Sequence, residues 1–272
     1  MPNVMPIHEV ISRCERFRAS GRFGESEELC RRALVQIATH PGILFQSAAT
    51  AFAVANPRGA HNRFKRVRAI LPGASGVHYN IGVCARRMGR HADATGHLRK
   101  ALLLDPTADG AWDALAQSQS VLEISGTAMT AAQRQLVLRP MSPKALSTLG
   151  YVAWRANELD IAERALQASL MLDPAIRDAE INLGNVLTKS GRHAEAIHRY
   201  RRLSGLFPRD PSLFGNLGVA LVDANDWRGA SAVYHQYMRL TRGRPTNQSD
   251  KDPFPTLPVE PIARDDRATA WH

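Results

Sequence analysis

The sequence predicts an all-α solenoid of about seven antiparallel helix hairpins, and three observations carry that prediction. Pro72, Pro106, Pro140, Pro174 and Pro208 stand 34 residues apart without a slip. Proline lacks an amide hydrogen and its ring clashes with the preceding helical turn, so each of the five marks a recurring helix stop. Small residues recur at one place in this period, at Gly82, Ala116, Gly150 and Gly184, and again twelve residues later at Ala94, Ala128, Ala162 and Ala196. Large apolar residues, Ile81, Leu115, Leu149 and Leu183, recur directly beside the first set. Small side chains let two helices approach closely while large ones fill the space between them. A period of this length, with helical spacing inside it, is the mark of a stacked array.

Ending each unit two residues after its proline gives units 75–108, 109–142, 143–176 and 177–210. Inside a unit the helical spacing breaks once, at a turn such as Gly89-Arg90 or Gly191-Arg192, so each unit reads as two helices. In chain order, an extension of residues 1–6 precedes a degenerate first unit, 7–40, which retains Gly21, Ala33 and Leu34. Unit 41–74 keeps Ala48, Ala60 and Pro72 but carries Ala55 where the turn glycine is expected. Unit 211–244 carries Leu217, Gly218 and Ala230 at the repeated places and has Arg242 in place of the closing proline. Atypical end units suit an array, because its ends face water and not a neighbour. Beyond Arg244 the composition changes: Pro245, Pro253, Pro255, Pro258 and Pro261 exclude a helix, and 245–272 reads as a proline-rich tail. Two readings compete for it, a free linker or ligand and a segment folded back on the array. The expectation is that 253–262 dock through Phe254, Leu257 and Ile262 on the stripe of Val233, Tyr237 and Leu240 in the last hairpin.

Tyr79-Asn80-Ile81-Gly82, Gly89-Arg90, Ala94, Ala101-Leu102 and Asp105-Pro106, and again Asn182-Leu183-Gly184, Gly191-Arg192, Ala196, Tyr200 and Pro208, form one degenerate pattern. Over residues 7–244 the chain resembles tetratricopeptide repeat proteins. The resemblance implies a right-handed superhelix whose first helices line a concave groove. It implies no particular ligand, since packing residues define that family.

Composition sets limits. With 272 residues and 44% apolar content the chain can bury a continuous core, drawn out as a ribbon between neighbouring units. The first ten residues include Asn3, His8 and Glu9 and no long apolar run, so no secretory signal is expected, and the compartment expected by default is the cytoplasm. The weakly polar stretch Gly42 to Ala55 is too short for a bilayer and is broken by Gln46, Ser47 and Thr50; it reads as a buried first helix. Cys14, Cys30 and Cys84 show no metal-ligand pairing, and Cys14 and Cys30 fall on packing places of their unit. His193 and His198 lack metalloprotease spacing, and neither a phosphate-binding glycine loop nor a nucleophile elbow occurs. No catalysis, metal or cofactor is expected.

The formal net charge is +10, and residues 1–74 hold eleven Lys or Arg against five Asp or Glu. Such an imbalance can steer an acidic partner or nucleic acid, but Arg31, Arg32, Arg99, Arg201 and Arg202 sit where a helix shows its solvated face. Nucleic-acid binding, if present, is expected to be weak and unspecific.

Asn80, Asn182 and Asn216 share the sixth place of their units, and Gln46 and Thr148 hold that place in two others. A row of carboxamides along a groove can both donate to and accept from an extended peptide backbone. The row is similar to the inner asparagine ladder in the repeat domain of O-linked N-acetylglucosamine transferases. A carboxylate clamp, known from chaperone-binding repeats, finds Asn185 and Asn216 at its asparagine spacing but Ile181 where its lysine belongs. Arg86, Arg87, Tyr151, Trp154, Arg155 and Lys189 complete the candidate groove residues, cations and aromatics suited to acidic or aromatic peptide segments. The expected function is a non-catalytic scaffold binding a protein or peptide, with self-association left open. The alternatives are a targeting or regulatory subunit of a separate enzyme, such as a glycosyltransferase, and a basic RNA-binding superhelix.

Overall fold

The computed structural model describes residues 5–242, and within them the chain forms fourteen α-helices and no strand. They run as hairpins: α1 (Ile7–Ala19) with α2 (Phe23–Gln36), α3 (Pro41–Ala53) with α4 (Pro57–Ile70), α5 (Ser75–Arg87) with α6 (His91–Leu104), and α7 (Asp109–Val121) with α8 (Ser125–Leu138). These are followed by α9 (Pro143–Arg155) with α10 (Leu159–Leu172), α11 (Arg177–Lys189) with α12 (His193–Leu206), and α13 (Pro211–Asp223) with α14 (Trp227–Thr241). Helix starts keep the 34-residue period, and Pro72, Pro106, Pro140, Pro174 and Pro208 all lie in the loops behind the second helices. The tail and its expected docking by 253–262 lie outside the described residues.

The turn inside each hairpin uses one backbone solution. A single residue there adopts a left-handed conformation: Gly21, Ala55, Gly89, Glu123, Asn157, Gly191 and Asn225, with φ between 56° and 77°. Glycine takes this conformation freely and asparagine tolerates it, whereas Ala55 and Glu123 hold it at a cost. The turn thus keeps its geometry where the sequence shows no glycine.

Small residues sit where first and second helices cross. A Cβ added at Gly82 would lie 2.7 Å from the Leu98 Cγ, and one at Gly184 would lie 2.6 Å from the Tyr200 ring. At Gly150 the added atom would overlap Leu166. The partners at these crossings, Leu98, Leu166 and Tyr200, are wholly buried.

The chain divides into two compact units, with the boundary between Leu183 and Gly184, inside α11. In the first unit α2, α4, α6 and α8 each lie between the first helix of their own hairpin and that of the next, α10 packs on α9, and α1 touches α3, α5 touches α7 and α7 touches α9. First helices therefore meet across repeats and form the inner layer. Its core runs as consecutive clusters, from Val10, Cys14, Cys30 and Ile43 through Phe64 and Ile81 to Leu98, Leu115 and Val152. In the second unit α13 packs on both α12 and α14 around Leu203, Leu213, Leu217, Leu221 and Ala230.

Candidate functional site

Asp113 is the buried polar centre of the inner layer. It stands in the middle of α7 with 5% exposure, at a place where neighbouring units carry Tyr79 and Ser147. A carboxylate cannot be left there without partners, since desolvating it uncompensated is costly. Thr148 donates its hydroxyl to Asp113 Oδ1 at 2.7 Å, Gln117 donates its amide at 2.6 Å, and the Lys144 ammonium lies 2.9 Å from Oδ2. Arg86 on α5 donates to the Gln117 carbonyl at 2.7 Å. One network therefore links α5, α7 and α9. Burial works to lower the Lys144 pKa, but the hydrogen bond and charge of Asp113 outweigh it and the net shift is upward. Lys144 is thus a fixed cation at neutral pH.

Beside this network α7, α9 and the start of α11 enclose an open cavity of about 450 Å³ within the first unit. Its apolar wall is Tyr151, Ile176 and Ile181; its polar wall is Gln117, Lys144, Ser147, Thr148, Asp178 and Asn182. Burial pushes the Tyr151 hydroxyl pKa up against the pull of Arg155 and Arg86, so the hydroxyl stays protonated and can donate. The Trp154 ring lies 6.1 Å from the Tyr151 ring, and its indole Nε1 is buried without a protein acceptor among the described residues.

Of the ten residues the sequence nominates for the groove, the cavity brings together Tyr151 and Asn182, with Arg86 joined through Gln117 and Trp154 through its ring contact with Tyr151. Arg155 reaches the Ser120 carbonyl at 3.4 Å and ties α9 to the end of α7. The Arg87 guanidinium lies 3.9 Å over the Phe52 ring. Asn80 donates its amide to its own helix, at Gly76 O, 2.7 Å away. Between Asn80 and Asn182 the sixth place holds Ala114 and Thr148, so carboxamides do not follow one another there. In the second unit Asn185 accepts a hydrogen bond from the Tyr200 hydroxyl at 2.6 Å, which makes it a strut of its hairpin. Lys189 is exposed at the end of α11 and Asn216 is half-buried on α13. Sequence reasoning missed Asp113, Gln117 and Lys144. The available signal was a carboxylate in a mid-helix place that the repeat otherwise fills with aromatic, aliphatic or small residues.

Comparison with known proteins fits this geometry. Tetratricopeptide repeat models match residues 147–211 and 181–245, and another matches 75–108. The chain carries tetratricopeptide repeats. Among solved structures, the tetratricopeptide array is similar to a tetratricopeptide repeat protein from Parabacteroides merdae at 13% identity and TM-score 0.73, covering 87% of this chain and 94% of that one. It is similar to a chain of the APC/C hetero-tetramer Cut9-Hcn1 at 16% identity and TM-score 0.72, covering 89% of this chain but about half, 48%, of that one. A third, the type IV pilus biogenesis factor PilW, has 17% identity and TM-score 0.68, with 79% and 97% covered. At these identities the likeness is one of fold. No curated protein matches the chain. Among the described residues, no helix is long and apolar enough to cross a membrane, and no group of three His, Cys, Asp or Glu side chains is placed to hold a metal ion.

Proposed function

We propose that this tetratricopeptide array is a non-catalytic scaffold that holds an extended, acidic peptide segment of a partner protein in the inner-layer cavity of the first unit. The observation that carries this reading is the cavity itself, with an apolar wall at Tyr151, Ile176 and Ile181 and a wall of hydrogen-bonding groups braced by Asp113. Its volume of about 450 Å³ lies in the range of ligand-binding clefts. Apolar side chains of a peptide fit the first wall, while its backbone can pair with Asn182, Ser147 and Gln117. Lys144, Arg86 and Arg155 set the preference for acidic side chains. We place the scaffold in the cytoplasm, where disulfides, when they form, are usually transient.

An array of short acidic, neutral and basic peptides, probed with the full chain, tests the reading. Acidic peptides should bind best, and both Tyr151→Ala and Asn182→Ala should weaken that binding about tenfold or more, with the melting curve nearly unchanged for Asn182→Ala. Retention of a single-stranded RNA ahead of every peptide, or peptide binding indifferent to both substitutions, sinks it.

A further inference from the structure

Four hairpins of the first unit fill the crossing of their two helices with a small residue against a hydrocarbon: Ala48 and Phe64, Gly82 and Leu98, Ala116 and Ala132, Gly150 and Leu166. Hairpin α1–α2 instead places two thiols there. Cys14 and Cys30 are both wholly buried, and their Sγ atoms lie 3.3 Å apart. We propose that this pair is an oxidative modification site, forming a reversible intramolecular disulfide that locks α1 onto α2, with a low-molecular-weight disulfide of the glutathione type as the oxidant.

The geometry asks for little movement. Bonded sulfurs stand about 2.05 Å apart and their Cβ atoms about 3.5–4.5 Å apart. The two Sγ atoms already lie 3.3 Å apart, so about 1.3 Å of approach makes the bond. Closure needs mainly a side-chain rotation. The environment also separates the two thiols. The hydrogen bond from Cys30 brings the Cys14 pKa down to about 7 against the opposing effect of burial, and Arg18 adds a smaller pull downward. Cys30 is shifted upward, first by the same hydrogen bond and then by burial. Cys14 is therefore the attacking thiolate.

The exchange balances in two steps. The Cys14 thiolate attacks one sulfur of the oxidant, the oxidant's S–S bond breaks, and one small thiolate leaves and takes up a proton. The Cys30 sulfur, giving up its proton, then attacks the Cys14 sulfur of the mixed disulfide and expels the second small thiol. The cysteine pair is oxidised, and the small disulfide is reduced to two thiols.

Access comes from local opening of α1, which buries only Val10 and Cys14. Segments with so few buried apolar contacts open most readily. Oxidation would remove that opening, because the bridge closes a short loop through the α1–α2 turn.

The test uses the full chain equilibrated in oxidised and in reduced glutathione, then alkylated and mapped by mass spectrometry. The expected product has lost two hydrogens, joins the Cys14 and Cys30 peptides, carries no glutathione, and reverts with dithiothreitol. Cys84 serves as the internal control: burial pushes its thiol up to about 11, and it should stay unmodified. Hydrogen exchange should show α1 amides opening on the order of 100-fold more slowly in the oxidised form, as expected for closing a loop of about 15 residues. Cys14→Ser and Cys30→Ser, each kept folded by a similar volume, should abolish both effects. A stable glutathione adduct in the parent, or no bridge even in mild urea that opens α1, overturns the proposal.

Discussion

A single backbone angle explains why the helix break is plain in the residues of some repeats and hidden in others. Gly21, Gly89 and Gly191 announce the left-handed turn, but Glu123 and Ala55 occupy the same conformation with no sign in their chemistry. What forces them there is tertiary, since both flanking helices are held by packing. The glycine places give a clean measurement, because a Cβ added at Gly89 meets no atom within 4 Å. A Cβ in this region costs about 1–2 kcal/mol, offset by about 0.4–1 kcal/mol from the lower freedom of the unfolded chain. Gly89→Ala should therefore lose about 0.5–1 kcal/mol in urea unfolding, and Gly89→Asn should lose less, as Asn157 and Asn225 already sit in this conformation. Equal stability of the parent and both variants would show the turn to be more pliable than its φ implies. Asp113 is the counterpart on the functional side. Its residue type breaks the repeat pattern, but only the folded chain brings Thr148, Gln117 and Lys144 together on it.

At the scale of the hairpin, the sequence is most legible where one residue answers another. Gly82, Gly150 and Gly184 recur because Leu98, Leu166 and Tyr200 occupy the space a side chain would need. Period and small residues both stand in the residue order, which is enough to specify an all-α hairpin array. The groove is less legible, because inner-face residues carry no packing constraint of their own and differ from repeat to repeat. The hairpin α9–α10 tests the crossing directly. Gly150→Ala should cost about 1–3 kcal/mol by overpacking against Leu166, and Leu166→Ala about 2–5 kcal/mol by opening a cavity. Together they recreate the pairing that Ala116 and Ala132 already make in α7–α8, both wholly buried. The double variant should thus lose less than the sum of the singles, with a coupling of about 0.5–3 kcal/mol. Strict additivity would mean that the two residues do not share a crossing.

Across the whole molecule, ten histidines and a net charge of +10 make proton uptake a question of stability. Three histidines of the second and third hairpins are held below their ordinary pKa. Burial comes first for each, joined by Lys65 and Arg90 around His61, Arg86 near His91, and Arg68, His78 and His61 around His97; Asp93 opposes the shift at His61 and His97. The sign follows from linkage. Above the unfolded value of 6.5 both states hold these rings neutral, and their contribution to stability is fully present. As pH falls through that value the unfolded chain takes up protons first, so stability is lost progressively until the depressed folded values are passed. The paired carboxylates leave this window clear, since Arg31 and Arg32 hold Glu28 down at about 2 and Arg192 holds Glu195 below its ordinary value. The melting temperature should therefore fall as pH drops from about 6.5 to about 5. Replacing His61 and His97 together by Gln should flatten that fall, because the variant no longer has those rings to protonate. General repulsion in a chain growing more positive predicts instead that the slope survives the double substitution and weakens in high salt, and that result would remove the histidine account.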